Sequence, residues 1–440
     1  MNITDYLLDA YPSLGPVGRL DLASWLKDHS FRAPMSSNVP SQQLPFQRWY
    51  KFKEAFSPLL VLESLRSLDF EPSTCLDCFG GSGTTALTCQ FLGIHPTTVE
   101  VNPFLADLIE AKLSQYDSRS LIDDYCTILE SVDKVKIDWP NFESRLPKTL
   151  VQPGINSRWI YPKETFRRLI SYRFAIERIE NNINRRLFKV LLGSRLIELS
   201  NVYVNGKGRR YRTNWRSMEK HPFEVDMAFK QAFNEAIADI ASHGTRECTE
   251  YEMVRGDARK DIGNFEELDV ALFSPPYPNS FDYTDIYNVE LWMLGYLKSS
   301  EDNRTLRTAT LRSHVQVSRD MSWEHLKSPK LQQTVNKLNS VREKLWDGNI
   351  PNMIGAYFAD LDTVLRKIRS VINPHGAVFM TVGDSHYADV HVDVGDILQD
   401  LAMSAGYNCE SIKPIRSMRT SAQQGWRSTL SEDLVCFRPV

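Results

Sequence analysis

No stretch of this 440-residue chain approaches the run of about 18 apolar residues that a membrane helix needs. The opening Met1-Asn2-Ile3-Thr4-Asp5-Tyr6 lacks the basic and apolar pattern of a secretion signal, so a cytoplasmic chain is expected. Its net charge is only −3, which excludes a field of one sign over the whole molecule; any polyanionic partner must be met by a local patch. Internal repeats and long low-complexity tracts are also missing, which argues against a repeat array or a disordered tail. Seven cysteines are an odd and scattered set. Cys75 and Cys78 form a C-x-x-C pair, but no second pair or histidine follows at metal-ligand spacing. Packed, reduced thiols and no metal site are expected. With 42% hydrophobic residues, the chain has material for a sizeable core and room for more than one domain.

What is present is local and specific. Leu76-Asp77-Cys78-Phe79-Gly80-Gly81-Ser82-Gly83-Thr84-Thr85 reads as a strand, a glycine-rich turn and the start of a helix. Gly80, Gly81 and Gly83 let backbone approach a bound ligand. About 20 residues on, Thr97 to Pro103 reads as a strand ending in Glu100, the spacing at which an acid meets ribose hydroxyls in nucleotide-binding folds. Far downstream, Val270-Ala271-Leu272-Phe273 runs into Ser274-Pro275-Pro276-Tyr277. A hydroxyl, two rigid prolines and an aromatic ring at a strand end are poor core material and well suited to gripping a flat polar ring. A glycine turn alone is common to many unrelated doubly wound proteins; the ordered set is far more specific.

These segments resemble the DNA amino-methyltransferases, which move a methyl group from S-adenosylmethionine to an exocyclic base amine and leave S-adenosylhomocysteine. Asp77 to Thr85 are similar to that family's cofactor loop, Asp-Pro-Phe-x-Gly-Ser-Gly-Thr-Thr, with Cys78 in place of the proline. Ser274 to Tyr277 are similar to its target-base loop in the serine version, which leans towards N4-cytosine where aspartate or asparagine leans towards N6-adenine. Val254 to Arg259 resemble the third cofactor strand, whose acid here is Asp257. Gly376 to Ser385 and Ser431 to Arg438 resemble later core strands. Phe52, Phe56, Ser57 and Pro58 resemble the segment that folds over the methionine end.

The resemblance covers roughly residues 46–115 and 250–440 and implies an α/β, Rossmann-like class I methyltransferase fold. It implies that Asp77 meets the methionine ammonium, that Glu100 takes both ribose hydroxyls, and that Asp257 accepts from the adenine amine. Phe56, Phe79, Gly80, Gly81, Gly83, Thr84, Asn102, Ala258 and Ser274 complete the cofactor site. Ser274, Pro275, Pro276 and Tyr277 form the catalytic loop. The implied function is site-specific N4-cytosine methylation of double-stranded DNA, as the modification component of a restriction-modification or related defence system, with a cognate endonuclease or defence proteins as partners. N6-adenine methylation is the first alternative; RNA base methylation and a non-catalytic DNA-recognition subunit are further ones. A thiol nucleophile of the cytosine-C5 kind would need a Pro-Cys loop, which this chain lacks. Glu54 and Asp384 read as structural acids.

Between residues 151 and 220 there are 16 Lys and Arg against 5 Asp and Glu, a local balance of +11, interleaved with aromatics such as Trp159, Tyr211 and Trp215. Such clustering suits phosphate contacts. Pro162 to Glu198 has helical periodicity. Asn201 to Asn214 reads as a basic loop between β-prone flanks, with Lys207, Arg209, Arg210 and Arg212 as the candidate DNA contacts. The expected organisation is an N-terminal arm (1–45), a catalytic domain (46–115 plus 250–440, with a second excursion at 298–350), and a basic, largely helical recognition insert (116–249).

Overall fold

The computed structural model describes residues 16–27, 29, 34–205, 208–217, 220–263, 265–278, 282–324, 326–419 and 429–440. Among these residues eleven strands are formed: β1 (Thr74–Asp77), β2 (His95–Glu100), β3 (Val202–Asn205), β4 (Gly208–Tyr211), β5 (Glu252–Arg255), β6 (Leu268–Phe273), β7 (Ile372–Gly383), β8 (Ser385–Tyr387), β9 (Val390–Val392), β10 (Tyr407–Arg419) and β11 (Thr429–Pro439). Seven of them make one sheet in the order β10-β11-β7-β6-β1-β2-β5. From β5 across to β7 all neighbours are parallel, whereas β11 runs antiparallel to both β7 and β10. Parallel neighbours need crossovers, supplied here by helices on both faces, and the result is the Rossmann-like arrangement that the resemblance implies. The strand expected at Ser431 to Arg438 is β11; its partner β10 was not anticipated.

Side-chain alternation along each strand splits the interior in two. Cys75, Val270, Leu272, Ala377 and Phe379 join the core on one face, while Leu76, Ala271, Phe273, Val378 and Met380 join the other. The second face is covered by the helices Pro329–Ser340, Ile350–Val371 and Val394–Ser404. On the first face lie Pro58–Arg66, Thr84–Phe91 and Pro103–Leu113, together with the helices of the 116–249 insert. The helical stretch read at Pro162 to Glu198 is two helices, Lys163–Ile176 and Asn182–Arg195. The break falls where Asn181 caps the second, its side chain accepting from the Ile183 and Asn184 amides at 3.0 and 3.2 Å; such a cap stabilises by about 1 kcal/mol.

The insert's buried residues, among them Leu187, Phe188, Leu191, Phe229 and Phe233, belong to the same apolar cluster as Phe104 and Leu108 of the catalytic helix Pro103–Leu113. It therefore shares a core with the catalytic segments. The described part of the 1–45 segment packs there too: the Trp25 ring stacks on Phe91 at 4.5 Å, and its indole Nε1 donates to the Pro45 carbonyl at 3.0 Å. Four of the seven cysteines are buried and all seven are free thiols. Among the described residues no helix is long and apolar enough to cross a membrane.

Candidate active site

Strand order brings the two loops together. Parallel pairing of Cys75 with Val270 and Leu76 with Ala271 makes β1 and β6 neighbours. The loops after Asp77 and after Phe273 therefore emerge side by side at the carboxyl ends of the sheet, where open α/β sheets bind ligands. β2 delivers Glu100 and β5 delivers Asp257 to the same edge.

The glycine turn is shaped by three different requirements. Gly81 and Gly83 have φ of +53° and +76°, a left-handed conformation that glycine adopts without strain. Gly80 is needed for packing: an added Cβ would lie 2.4 Å from Thr98 Cγ2 and 2.7 Å from Ile109 Cδ1. Gly83 caps the helix Thr84–Phe91. Beneath the turn the buried Lys112 donates from Nζ to the Ser82 carbonyl at 2.6 Å and to Gln47 Oε1 at 2.9 Å.

A cavity of about 270 Å³ opens here, lined by Phe56, Asp77, Phe79, Gly80, Gly81, Thr84, Glu100, Asn102, Asp257, Ala258 and Ser274 to Tyr277. Of the catalytic and cofactor residues read from the sequence, only Gly83 stands outside it, just behind the turn. Glu100 accepts from the Gly81 amide at 2.8 Å and from the Asn102 amide at 2.7 Å, one bond to each carboxylate oxygen. Asn102 in turn caps the next helix through its side chain. Asp77 accepts from the Phe79 amide at 3.0 Å. Burial pushes the Asp77 carboxyl up to about 6 and the Glu100 carboxyl up to about 7, because the charged form is deprived of water. Neither acid forms an ion pair among the described residues. Asp257 differs: Arg259 grips it through Nε at 2.9 Å and Nη2 at 2.7 Å, and Arg259 Nη1 continues to Asp360 at 2.9 Å. That leaves Asp257 little spare acceptor capacity beside a ligand.

In the second loop, Ser274 Oγ donates to the Thr381 carbonyl at 3.0 Å, so its lone pairs remain available to accept. The Tyr277 hydroxyl donates to Glu432 Oε1 at 2.7 Å. Glu432, on β11, lines the cavity together with Tyr287, His314 and Arg416; the sequence reading assigned none of these four to the site. A buried acid inside a closing strand was the available signal for Glu432. Glu54, read as structural, also lines the cavity and accepts from the Tyr287 hydroxyl at 2.8 Å; burial raises its carboxyl as well. Asp384 holds the Val394 amide at 3.0 Å and the His391 ring at 2.8 Å, a structural use as read. The 298–350 excursion supplies Ala309, Thr310, Leu311, Ser313 and His314 to the cavity wall.

Much of the basic cluster is neutralised within the fold. Arg168 pairs with Asp133 and Asp226, Arg186 with Asp107 and Glu110, and Arg195 with Glu198 and Glu235. Arg212 is turned onto the protein, donating to the carbonyls of Ser200 at 3.3 Å and Ile197 at 3.2 Å, a use that competes with a phosphate contact. Arg158, Arg178, Arg210 and Arg216 are exposed and form no ion pair among the described residues. Lys207 lies outside the described residues. The β3–β4 hairpin stands beside the cavity: Arg209 is 3.9 Å from Asp285, next to cavity-lining Thr284, and cavity-lining Lys53 bonds the Val204 carbonyl.

No family model matches the chain. It is 27% identical over 431 residues to the Type II methyltransferase M.AvaI, both of Nostoc sp. and of Anabaena variabilis, covering 90% of this chain and 86% of the relative. To the Type II methyltransferase M.BsoBI of Geobacillus stearothermophilus it is 23% identical over 447 residues, covering 90% and 85%. Coverage of this extent leaves about a tenth of the chain outside, so the similarity takes in most of the 116–249 insert as well as the catalytic segments. Among solved structures, the rRNA methyltransferase aviRa of Streptomyces viridochromogenes aligns over 97% of this chain and 96% of its own, at 11% identity and a TM-score of 0.27. The fold assignment rests on the strand order above.

Proposed function

We propose that this chain is an S-adenosylmethionine-dependent, site-specific DNA methyltransferase that modifies the N4 amine of cytosine, in the role of the modification component of a restriction-modification system. The carrying observation is the convergence of the glycine turn and the Ser-Pro-Pro-Tyr loop, on adjacent parallel strands, into one cavity. Similarity over most of its length to proteins named Type II methyltransferases supports the reading.

The residues fit the cofactor by their chemistry. Asp77 and Glu100 are buried acids with no ion-pair partner among the described residues, a set that favours a ligand carrying positive charge and hydroxyl groups. When bound, S-adenosylmethionine supplies an electrophilic methyl group on a sulfonium. Asp77 takes the methionine ammonium, directly or through water; Glu100 takes the ribose hydroxyls with its remaining lone pairs; Asp257, held by Arg259, faces the adenine. Phe56 covers the methionine end.

A stacked base cannot reach so recessed a loop, so the target nucleotide flips out, at a cost of a few kcal/mol offset by stacking and hydrogen bonds inside. Tyr277 stacks on the ring, its hydroxyl anchored by Glu432. Ser274 Oγ and the Pro275 carbonyl accept from the amine and aim its lone pair at the methyl carbon. With S-adenosylmethionine bound, the amine would take the methyl as the methyl–sulfur bond breaks to leave the neutral thioether, and its proton would pass to solvent water; what this chain's residues contribute is positioning and electrostatics. Arg210, exposed on the β3–β4 hairpin, and the half-buried Arg209 beside it meet phosphates beside the cavity mouth. Incubation of the purified chain with methyl-labelled cofactor and either duplex DNA or structured RNA tests this reading. Label in DNA alone is expected; label in RNA alone, or in neither, refutes it.

A further inference from the structure

The cavity is lined by five acids, Glu54, Asp77, Glu100, Asp257 and Glu432, and by two cations, Lys53 and Arg416. Lys53 is committed to the Val204 carbonyl. Arg416 is exposed, and its guanidinium makes no hydrogen bond or ion pair among the described residues. A free guanidinium at the rim of an acid-rich cavity is set for an anion that arrives from outside.

Strand register places Arg416 beside the Ser-Pro-Pro-Tyr loop. It stands directly opposite Glu432 in the β10–β11 ladder, and directly opposed residues share one face of a sheet. Glu432 Oε1 accepts from the Tyr277 hydroxyl at 2.7 Å, so Arg416 is one strand away from the anchor of that loop. Glu432 in turn pairs with Gly383, the last residue of β7, and β7 runs parallel to β6. This is therefore the carboxyl edge of the sheet, where the loop after Phe273 emerges. Beyond it β10 and β11 continue for three more pairs, ending at Arg419 with Thr429, a projection of about 10 Å at ~3.3 Å per residue. Arg416 sits at the foot of this projection, on the Tyr277 side of the rim.

The cofactor gives Arg416 no work there. S-adenosylmethionine has one anionic group, its carboxylate, next to the ammonium that the proposed function assigns to Asp77, and the target base is uncharged. The sugar-phosphate of the flipped nucleotide remains. When the base swings in, its two flanking phosphodiesters stay joined to the strand and are drawn to the rim, where an acid-rich lining opposes them. Resting on the reading of this cavity as a site for a flipped DNA base, we propose that Arg416 binds a phosphate flanking the target nucleotide and so holds the extruded backbone. The planar guanidinium fork matches two phosphate oxygens. Arg209 and Arg210 belong to a different part of the rim, reached through Lys53 and Asp285, and meet the duplex before the base leaves it. Arg416 acts only once the base is out.

The test pairs a change in the protein with a change in the DNA backbone. A duplex carrying the site that the chain methylates in cells is compared with the same duplex bearing uncharged methylphosphonates at the two linkages flanking the target base. Wild type, Arg416→Ala and Arg416→Lys are assayed on both. Wild type is expected to lose at least about tenfold in kcat/KM on the methylphosphonate duplex, a change of about 1.4 kcal/mol. Arg416→Ala should lose at least about tenfold on the natural duplex and show no further loss on the modified one. Arg416→Lys, which keeps the charge without the fork, should fall between. The affinity of Arg416→Ala for S-adenosylhomocysteine should match wild type. Equal wild-type rates on the two duplexes would overturn the inference, as would the same methylphosphonate penalty in wild type and Arg416→Ala. So would a tenfold loss of S-adenosylhomocysteine affinity in Arg416→Ala, which would assign the guanidinium to the carboxylate of the cofactor. A wild-type chain that methylates no base would instead refute the function on which the inference rests.

Discussion

Lowering the pH from 8 to 6 should weaken cofactor binding about twentyfold, and the larger part, about tenfold, comes from Glu100. In the free protein its carboxyl is raised to about 7 by burial, whereas the ribose diol needs an ionised acceptor. A folded-state value raised above that of the unfolded chain means the free fold holds its proton more tightly, so the ionised form is favoured only as pH rises through about 7. At pH 6 about nine-tenths of the free protein is protonated at Glu100, and apparent affinity falls by the competent fraction, which is about one-tenth. Asp77, raised to about 6, removes about a further factor of two at that pH. Calorimetric titration with S-adenosylhomocysteine at both pH values, in buffers of different ionisation enthalpy, should show the loss and a proton released on binding at pH 6. Glu100→Gln keeps the shape but loses a charge-assisted contact of about 1.5–3 kcal/mol. It should therefore bind at least about tenfold more weakly at pH 8, with a flattened pH dependence. Glu100→Ala is the harsher variant, since it also leaves the Gly81 and Asn102 amides without their partner. Equal wild-type affinity at pH 6 and 8, or a Glu100→Gln variant that retains the full slope, would refute the assignment.

Three other perturbations separate roles within the fold. Gly80→Ala should destabilise the chain by about 1–3 kcal/mol through overpacking against Thr98 and Ile109, seen as a lower melting temperature; an unchanged melting temperature would mean the turn can yield there. Replacing Arg209 and Arg210 by alanine should lower the log–log salt slope of DNA binding by about two units with cofactor affinity intact, whereas Arg212→Ala should lower stability first, by about 1–2 kcal/mol. An unchanged slope in the double variant would move the phosphate contacts away from the hairpin. Glu432→Ala, which frees the Tyr277 hydroxyl, should reduce kcat while leaving cofactor affinity unchanged, and Tyr277→Phe should remove most of that sensitivity to Glu432. Full additivity of the two changes would show that Glu432 does not act through Tyr277.

The catalytic half was legible because its signals are local. A strand, a glycine turn and a helix start sit within ten residues, and Ser274 to Tyr277 close a strand in the same compact way. Chain order then needed only the parallel pairing of β1 with β6 to bring both to one edge. Long-range pairing hid the rest. His314, Arg416 and Glu432 reach the cavity from an excursion and from the antiparallel β10–β11 pair, and apart from the acid of Glu432 inside a closing strand nothing in their immediate sequence marks the approach. The basic insert misled through its count: charge density was readable, but not that Arg168, Arg186 and Arg195 spend their charge on acids brought by other helices. Gly80 also looked like a ligand-facing glycine, and the close packing of Thr98 and Ile109 behind it supplies the stronger reason.

The central claim is tested most directly by mass spectrometry of nucleosides from DNA of cells expressing the chain, beside a Ser274→Ala, Tyr277→Ala double variant. The account predicts N4-methyldeoxycytidine in the wild-type sample and none with the variant. N6-methyldeoxyadenosine in its place would contradict the base assignment while keeping the cavity's chemistry; no methylated base, or the same amount with the variant, would contradict the assignment of the Ser274 to Tyr277 loop itself.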